Sequence, residues 1–111
     1  MGKIVYVCGA IKADKEYKDK FLLTQKLLER KGFTVINPTL LPADMPFKKY
    51  MPICLAMLEQ ADVLCVIRDG LDSKGVDLEL NYAKYQRKDI MYIGLYDNFE
   101  EVESETWKLG Q

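Results

Sequence analysis

The sequence predicts an α/β domain: a three-layer flavodoxin- or Rossmann-like fold with a four- to five-stranded parallel sheet in strand order 2-1-3-4. Two observations carry this expectation. Apolar, β-rich runs alternate with stretches of helical periodicity, the pattern of strands joined by right-handed crossover helices. The runs are also continuously apolar rather than alternating, as in Val63-Leu64-Cys65-Val66-Ile67, which suits a strand covered on both faces. At 111 residues the chain is expected to form one domain, residues 1–111, and its 49% apolar content is enough for a packed core.

Ile4 to Cys8 reads as the first strand, stopped by the turn glycine Gly9. Lys15 to Lys31 carries Phe21, Leu22, Thr24, Leu27 and Leu28 at helical spacing, and Gly32 supplies a stop signal. Phe33 to Ile36 is the second strand, closed by Asn37-Pro38. The proline-bearing segment that follows (Pro38, Pro42, Pro46) is long enough to form a lid or rim. Tyr50 to Ala61 reads as a helix, started there because Pro52 is tolerated only in a first turn. Val63 to Ile67 is the third strand, a helix follows Ser73, and Ile90 to Ile93 is the fourth strand. A final helix is expected over Phe99 to Leu109, with its acidic run Glu100 to Glu105 either a solvated face or the border of a neighbouring subunit's site.

Composition excludes several classes. Sixteen basic and seventeen acidic residues give a formal net charge of −1, and the lysines at 12, 15, 18 and 20 are interleaved with Asp14, Glu16 and Asp19. No basic stripe exists for a nucleic-acid polymer. The chain has no histidine, which removes the usual zinc sites and every His-dependent triad. Cys8, Cys54 and Cys65 lie in apolar runs without Cys-x-x-Cys spacing, as small buried hydrophobes of a reducing compartment do. There is no apolar run long enough to span a membrane and no signal-peptide pattern, so a cytoplasmic location is expected. No cofactor or metal is implied.

In a parallel sheet of this order, ligands gather outside the carboxyl ends of the strands, near the switch in strand order. That edge collects Gly9, Ala10, Ile11 and Lys12 after the first strand, Asn37 after the second, and Asp69, Asp72, Ser73 and Gly75 after the third. Asp62, which opens the third strand, belongs to the opposite edge. One residue on the following helix breaks its pattern. At about 100° per residue, Val76, Leu80 and Ala83 share an apolar face while Asp77, Asn81 and Lys84 form a polar stripe. Glu79 falls inside the apolar arc. A carboxylate there is paired, hydrated in a cleft, or used in chemistry, because an unpaired buried charge costs several kcal/mol.

Three segments resemble the nucleoside 2-deoxyribosyltransferase superfamily, which includes deoxyribonucleoside 5′-monophosphate N-glycosidases, and in particular a compact bacterial and phage branch of it. They are Val5-Tyr6-Val7-Cys8-Gly9-Ala10-Ile11-Lys12, Glu59-Gln60-Ala61-Asp62-Val63, and Ser73-Lys74-Gly75-Val76-Asp77-Leu78-Glu79-Leu80-Asn81-Tyr82-Ala83. The third is the most specific, with serine six residues before glutamate, glycine between them, and Tyr-Ala after. The resemblance implies that Glu79 is the nucleophile that attacks C1′ of the sugar, a role a carboxylate fills by forming and releasing a glycosyl ester. A helix N-terminus would favour its ionised form. Tyr6 matches a tyrosine that orients that carboxylate or a water, unless it is simply a core aromatic. Ser73 matches a contact to the sugar or its 5′ phosphate and is equally a helix N-cap; the two roles are compatible. Gly9 and Gly75 would let backbone approach the ligand, or serve turn and packing. Lys12 stands where the monophosphate glycosidases carry arginine, and attracts phosphate without bidentate geometry if it is not merely solvated.

One position departs from the pattern. Relatives usually carry an aspartate eight positions before the Ala-Asp that opens strand three, and here that residue is Cys54. It removes a proton donor worth about 10²–10⁴-fold in rate unless Asp69, Asp72 or Asp77 substitutes. The implied activity is cleavage or exchange of the N-glycosidic bond of a nucleoside or its 5′-monophosphate; the alternative is a nucleotide-binding module with weak or no catalysis. The resemblance also implies a homo-oligomer whose subunits complete one another's sites.

Overall fold

The computed structural model describes residues 2–11, 15–68 and 73–94, together with the backbone of 95 and of 101–107. In order along the chain are β1 (Ile4–Cys8), α1 (Tyr17–Arg30), β2 (Thr34–Ile36), a 3₁₀ turn (Pro38–Leu40), α2 (Phe47–Glu59), β3 (Val63–Arg68), α3 (Lys74–Tyr85), β4 (Asp89–Leu95) and β5 (Glu101–Trp107). The sheet runs β2-β1-β3-β4-β5. Its first four strands are parallel, in the order 2-1-3-4 expected from the sequence.

Alternation along β1 divides the core in two. Val5 and Val7 face α1, packing with Phe21, Leu28, Cys65, Ile67 and Ile93. Tyr6 and Cys8 face α2 and α3, packing with Met51, Cys54, Leu58, Leu64, Val66, Ala83 and Ile90. Each fully buried large apolar side chain contributes about 1.5–3 kcal/mol. The sheet is therefore the middle of three layers, and Tyr6 points into the layer that contains Glu79. At the amino end of the sheet, Asp62 Oδ2 accepts from the Ile4 backbone N–H at 2.9 Å, the edge away from the predicted ligand side.

Two elements differ from the sequence expectation. Helix α2 begins at Phe47, not Tyr50, so Pro52 lies beyond the first turn. Pro52 and Lys48 are both exposed, and the Lys48 carbonyl that the proline ring leaves without an N–H partner is on the solvated face. The expected helix over 99–109 is also replaced. Glu101–Trp107 forms β5, antiparallel to β4, with Tyr92 opposite Glu105 and Ile90 opposite Trp107. Its Glu-Val-Glu-Ser-Glu-Thr-Trp sequence has period two in its glutamates, and Val102, Thr106 and Trp107 favour an extended chain. Glu101 to Glu105 of the acidic run thus belong to an edge strand and not to a helix face, while Glu100 lies outside the described residues.

The ends of α1 and α3 close the same way. After α1, Gly32 N–H donates to Glu29 O and Phe33 N–H to Leu28 O, with Gly32 at φ 96°. After α3, Arg87 N–H donates to Lys84 O and Lys88 N–H to Ala83 O, but the left-handed position is held by Arg87 at φ 57°. A side chain is disfavoured there and glycine is not. Arg87→Gly is expected to stabilise the fold by about 0.5–1 kcal/mol, read as a higher midpoint in urea unfolding with an unchanged slope.

Candidate active site

A cavity of about 510 Å³ opens at the carboxyl end of β1, beside β3, where the strand order reverses. Its size is ordinary for a small-molecule site. Tyr6 and Cys8 of β1 and the following Gly9, Ala10 and Ile11 form its floor. Tyr17 and Phe21 come from α1, and Phe47, Tyr50 and Met51 from the first half of α2. The segment from Pro38 to Met45 supplies the rim that its prolines suggested, and Ser73, Lys74, Gly75, Val76 and Glu79 come from the start of α3, Lys74 being the one cation among the described residues of the wall.

Glu79 is 5% exposed yet reaches this cavity. The fully buried Tyr6 hydroxyl donates to its Oε2. Burial raises the Glu79 pKa from an ordinary 4.5 to about 7, while the Tyr6 hydrogen bond pulls the other way without overcoming it. The expectation that the helix N-terminus would favour the ionised form is therefore overturned. Ser73 is the N-cap, which puts Glu79 in the second turn, beyond the reach of the terminal dipole, and desolvation dominates. Burial likewise drives the Tyr6 and Cys8 groups up, each further raised by the Glu79 charge. Among the described residues no lysine or arginine contributes to the Glu79 titration.

Ser73 performs its capping role: its Oγ accepts from the Val76 N–H at 3.3 Å while the residue also lines the cavity. Asn37 does not line it. The Asn37 amide is taken up in the fold, donating to Gln25 Oε1 at 3.0 Å and accepting from Thr39 N–H at 2.9 Å, so Pro38 and Thr39 meet the cavity instead. Asp77 is exposed on the outer side of α3 and is not part of the wall. Lys12, Asp69 and Asp72 lie outside the described residues. Sequence reasoning missed the aromatic residues of the wall, Tyr17, Phe21, Phe47 and Tyr50. The first two turns of α1 and the first turn of α2 carry them, a position where aromatics next to a site-edge loop would have been the signal.

Cys54 is buried behind the wall rather than in it. It belongs to the same buried cluster as Tyr6, and Tyr50 packs against that cluster. Apart from Glu79, no carboxyl group lines the cavity among the described residues.

With this geometry in view, a family model described as a domain of unknown function (DUF4406) matches residues 3–92. The chain belongs to that family. No curated protein matches it. Among solved structures, the DUF4406 chain is similar to a CMP N-glycosidase of Clostridium botulinum, with 21% identity and a TM-score of 0.61, covering 88% of this chain and 75% of that one. It is also similar to a 2-deoxyribosyltransferase of Leishmania mexicana, at 14% identity and a TM-score of 0.66, covering 91% and 79% respectively. The chain thus shares the fold of these two proteins. No helix among the described residues is long and apolar enough to cross a membrane.

The two glycines separate packing from space. A Cβ on Gly9 would come within 3.2 Å of Ile67 Cβ and 3.4 Å of Phe21 Cε1, whereas one on Gly75 meets nothing nearer than Met51 Sδ at 3.6 Å. Gly9→Ala is expected to destabilise by about 1–3 kcal/mol, and Gly75→Ala to leave the melting temperature within a few degrees while narrowing the cavity. Paired thermal melts check this.

The Glu79 carboxyl also gives stability a pH signature. It holds its proton more tightly in the folded chain, at about 7, than at the ordinary 4.5. Between those values the folded state binds more protons, so stability falls as pH rises, by about 3 kcal/mol in total for this group. Glu79→Gln is expected to remove that slope and to melt above the wild type at pH 8. Chemical unfolding at pH 4.5 and pH 8 measures it; a variant weaker than wild type at pH 8 contradicts burial as the cause.

Proposed function

We propose that this protein cleaves or exchanges the N-glycosidic bond of a nucleoside or nucleoside 5′-monophosphate, with Glu79 as nucleophile and Tyr6 as the group that orients it. The carrying observation is a carboxylate that no cation among the described residues pairs with, held by a tyrosine hydroxyl at the wall of a cavity of nucleoside size. A structural glutamate so deeply placed would ordinarily be paired. This one is kept at a thermodynamic cost, the mark of a functional group.

In this reading Tyr6 holds one carboxylate oxygen and the other attacks C1′. The C1′–N bond breaks, its electron pair leaves on the base nitrogen, and that nitrogen takes a proton from solvent. Water then attacks C1′ of the glycosyl ester, giving the free sugar and restoring the carboxylate; a second base in place of water gives exchange. The aromatic wall of Tyr17, Phe21, Phe47 and Tyr50 suits the flat face of a base. Ser73 and the backbone at the start of α3 suit the sugar or a 5′ phosphate, since N–H groups there attract anions. Gly9, Ala10 and Ile11 bring backbone to the same space. The fold shared with an N-glycosidase and a deoxyribosyltransferase supports the reaction type. A homo-oligomer that closes the open cavity belongs to the same proposal.

Cys54 favours a second reading, a nucleotide-binding module with little turnover, because the described wall has no other carboxyl group to protonate the leaving base. Incubation with ribo- and deoxyribonucleosides and their 5′-monophosphates, followed by chromatography for free base, separates the two. Base release is expected to rise with pH through about 7, as Glu79 ionises, and to fall on the order of 10⁴-fold in Glu79→Ala. Thermal stabilisation by the same ligands with no base released favours the binding module, and release undiminished in Glu79→Ala removes the nucleophile.

A further inference from the structure

Charge and rings in the cavity are matched to each other. The Glu79 carboxylate, 5% exposed at the wall, is paired with no cation among the described residues. The titratable groups around it, Tyr6 and Cys8 of β1 and Tyr50 and Cys54 of α2, are held neutral by burial. Four aromatic rings line the same space, Tyr17 and Phe21 from α1 and Phe47 and Tyr50 from α2. Tyr17 stands edge-on to Phe21, with centroids 6.4 Å and planes 86° apart. An aromatic face is electronegative, so rings beside a buried anion favour a flat cation. Lys74, the one cation of the described wall, is exposed at the first residue of α3, where solvent screens it.

Proton donors are scarce in the same wall. The Tyr6 hydroxyl is given to Glu79, and the Thr39 hydroxyl to Asn37 Oδ1 at 2.6 Å. Glu79 is the sole carboxyl group among the described wall residues. A neutral base departs as an anion unless it takes up a proton, which here has to come from solvent. A base that already carries a positive charge has no such need.

We infer that the cavity takes a nucleoside or nucleoside 5′-monophosphate whose base carries a fixed positive charge, an N-glycosyl pyridinium or an N7-alkylated purine. Such a base supplies the cation that Glu79 lacks and lays its ring on the aromatic wall. In the reaction, a Glu79 oxygen bonds to C1′ and the C1′–N bond breaks. The electron pair of that bond stays on the base and cancels its charge, so the base leaves neutral and no proton moves. Water then attacks C1′, gives its proton to solvent and restores the carboxylate. The ligand class stands on the cavity; its cleavage rests on the reading of Glu79 as nucleophile.

Two compounds without a glycosidic bond isolate the charge: 1-methylnicotinamide, a cation, and nicotinamide, its neutral parent. Ligand-observed NMR titrations at pH 6 and pH 8 compare wild type, Glu79→Gln and Phe47→Leu. At pH 8 the cation is expected to bind wild type more tightly than its parent. Its affinity is expected to rise up to about ninefold from pH 6 to pH 8, following the ionised fraction of a carboxyl with a midpoint of about 7. Glu79→Gln flattens that rise. Phe47→Leu, at a position 38% exposed, weakens the cation about two- to fivefold and the parent less. If Phe47→Leu does not fold, Glu79→Gln decides alone.

Turnover is then read as base released from 7-methylguanosine and guanosine, as ribo- and deoxyribonucleosides and 5′-monophosphates, with spontaneous loss subtracted. The methylated member is expected to be faster by on the order of 10²-fold or more. Equal or tighter binding of nicotinamide at pH 8 overturns the inference. So does neutral guanosine cleaved as fast as its methylated partner, a result that leaves the proposed reaction standing. Cation preference with no base released from any compound upholds the ligand class and sinks the proposed reaction.

Discussion

Everything particular about this molecule follows from one hydrogen bond, the Tyr6 hydroxyl donating to a carboxylate that has been taken out of water. A buried charge needs compensation, and here one phenol supplies what a cation ordinarily would. That compensation is incomplete, which is why Glu79 keeps its proton until about pH 7. The rest of the domain holds the pair together. Tyr6 is on a central strand, flanked by β2 and β3, and is itself fully buried, so its hydroxyl has a single accessible direction. Glu79 is fixed by a helix capped at Ser73 and closed at Arg87. Neither side chain can relax without moving an element of the core.

The placement of this pair also explains the character of the cavity. Two helices, α2 and α3, cover the same face of the sheet, and the cavity lies among their first turns, the carboxyl end of β1 and the Pro38–Met45 rim. Aromatic and aliphatic side chains dominate the wall, so the few polar groups act in a medium that screens them poorly. A single carboxylate in such a place has a strong influence on any developing positive charge, the situation of a sugar carbon losing its base. The apolar wall that makes Glu79 costly in the resting protein is what makes it effective in the proposed reaction.

Much of this was legible in the sequence because period and position speak directly. Glu79 interrupts an apolar arc, and the helix that carries it places it in the core as that interruption implied. Continuous apolar runs gave the parallel strands, and Gly32 takes the positive φ that a helix stop requires. What escaped were features set by neighbours in space. Pro52 suggested a late start for α2, yet its unpaired carbonyl costs little on a wet face, and exposure is not written in the local sequence. Glu101–Trp107 has helical length and many glutamates, but its period-two pattern and the open edge of β4 make it a strand. Tyr50 read as the start of α2, and Cys54 as a small buried hydrophobe. Only the packing of α2 against β1 brings them into the cluster around Tyr6.

The cysteine at position 54 has a consequence beyond the proton donor it displaces. A carboxyl group there would be buried in the same cluster as Tyr6 and within the field of Glu79, and two neighbouring carboxylates out of water cannot both ionise cheaply. They would titrate as a pair, with one proton held between them well above the ordinary range. Burial keeps the Cys54 thiol neutral instead, so Glu79 titrates alone and Tyr6 has one anion to serve. Among the described residues the site thus has one carboxylate in place of an acid and a base, its ionisation governed by burial and one tyrosine. Such a site suits a step in which the carboxylate bonds to carbon directly, and in which solvent, not a neighbouring side chain, supplies the proton that the departing base takes up.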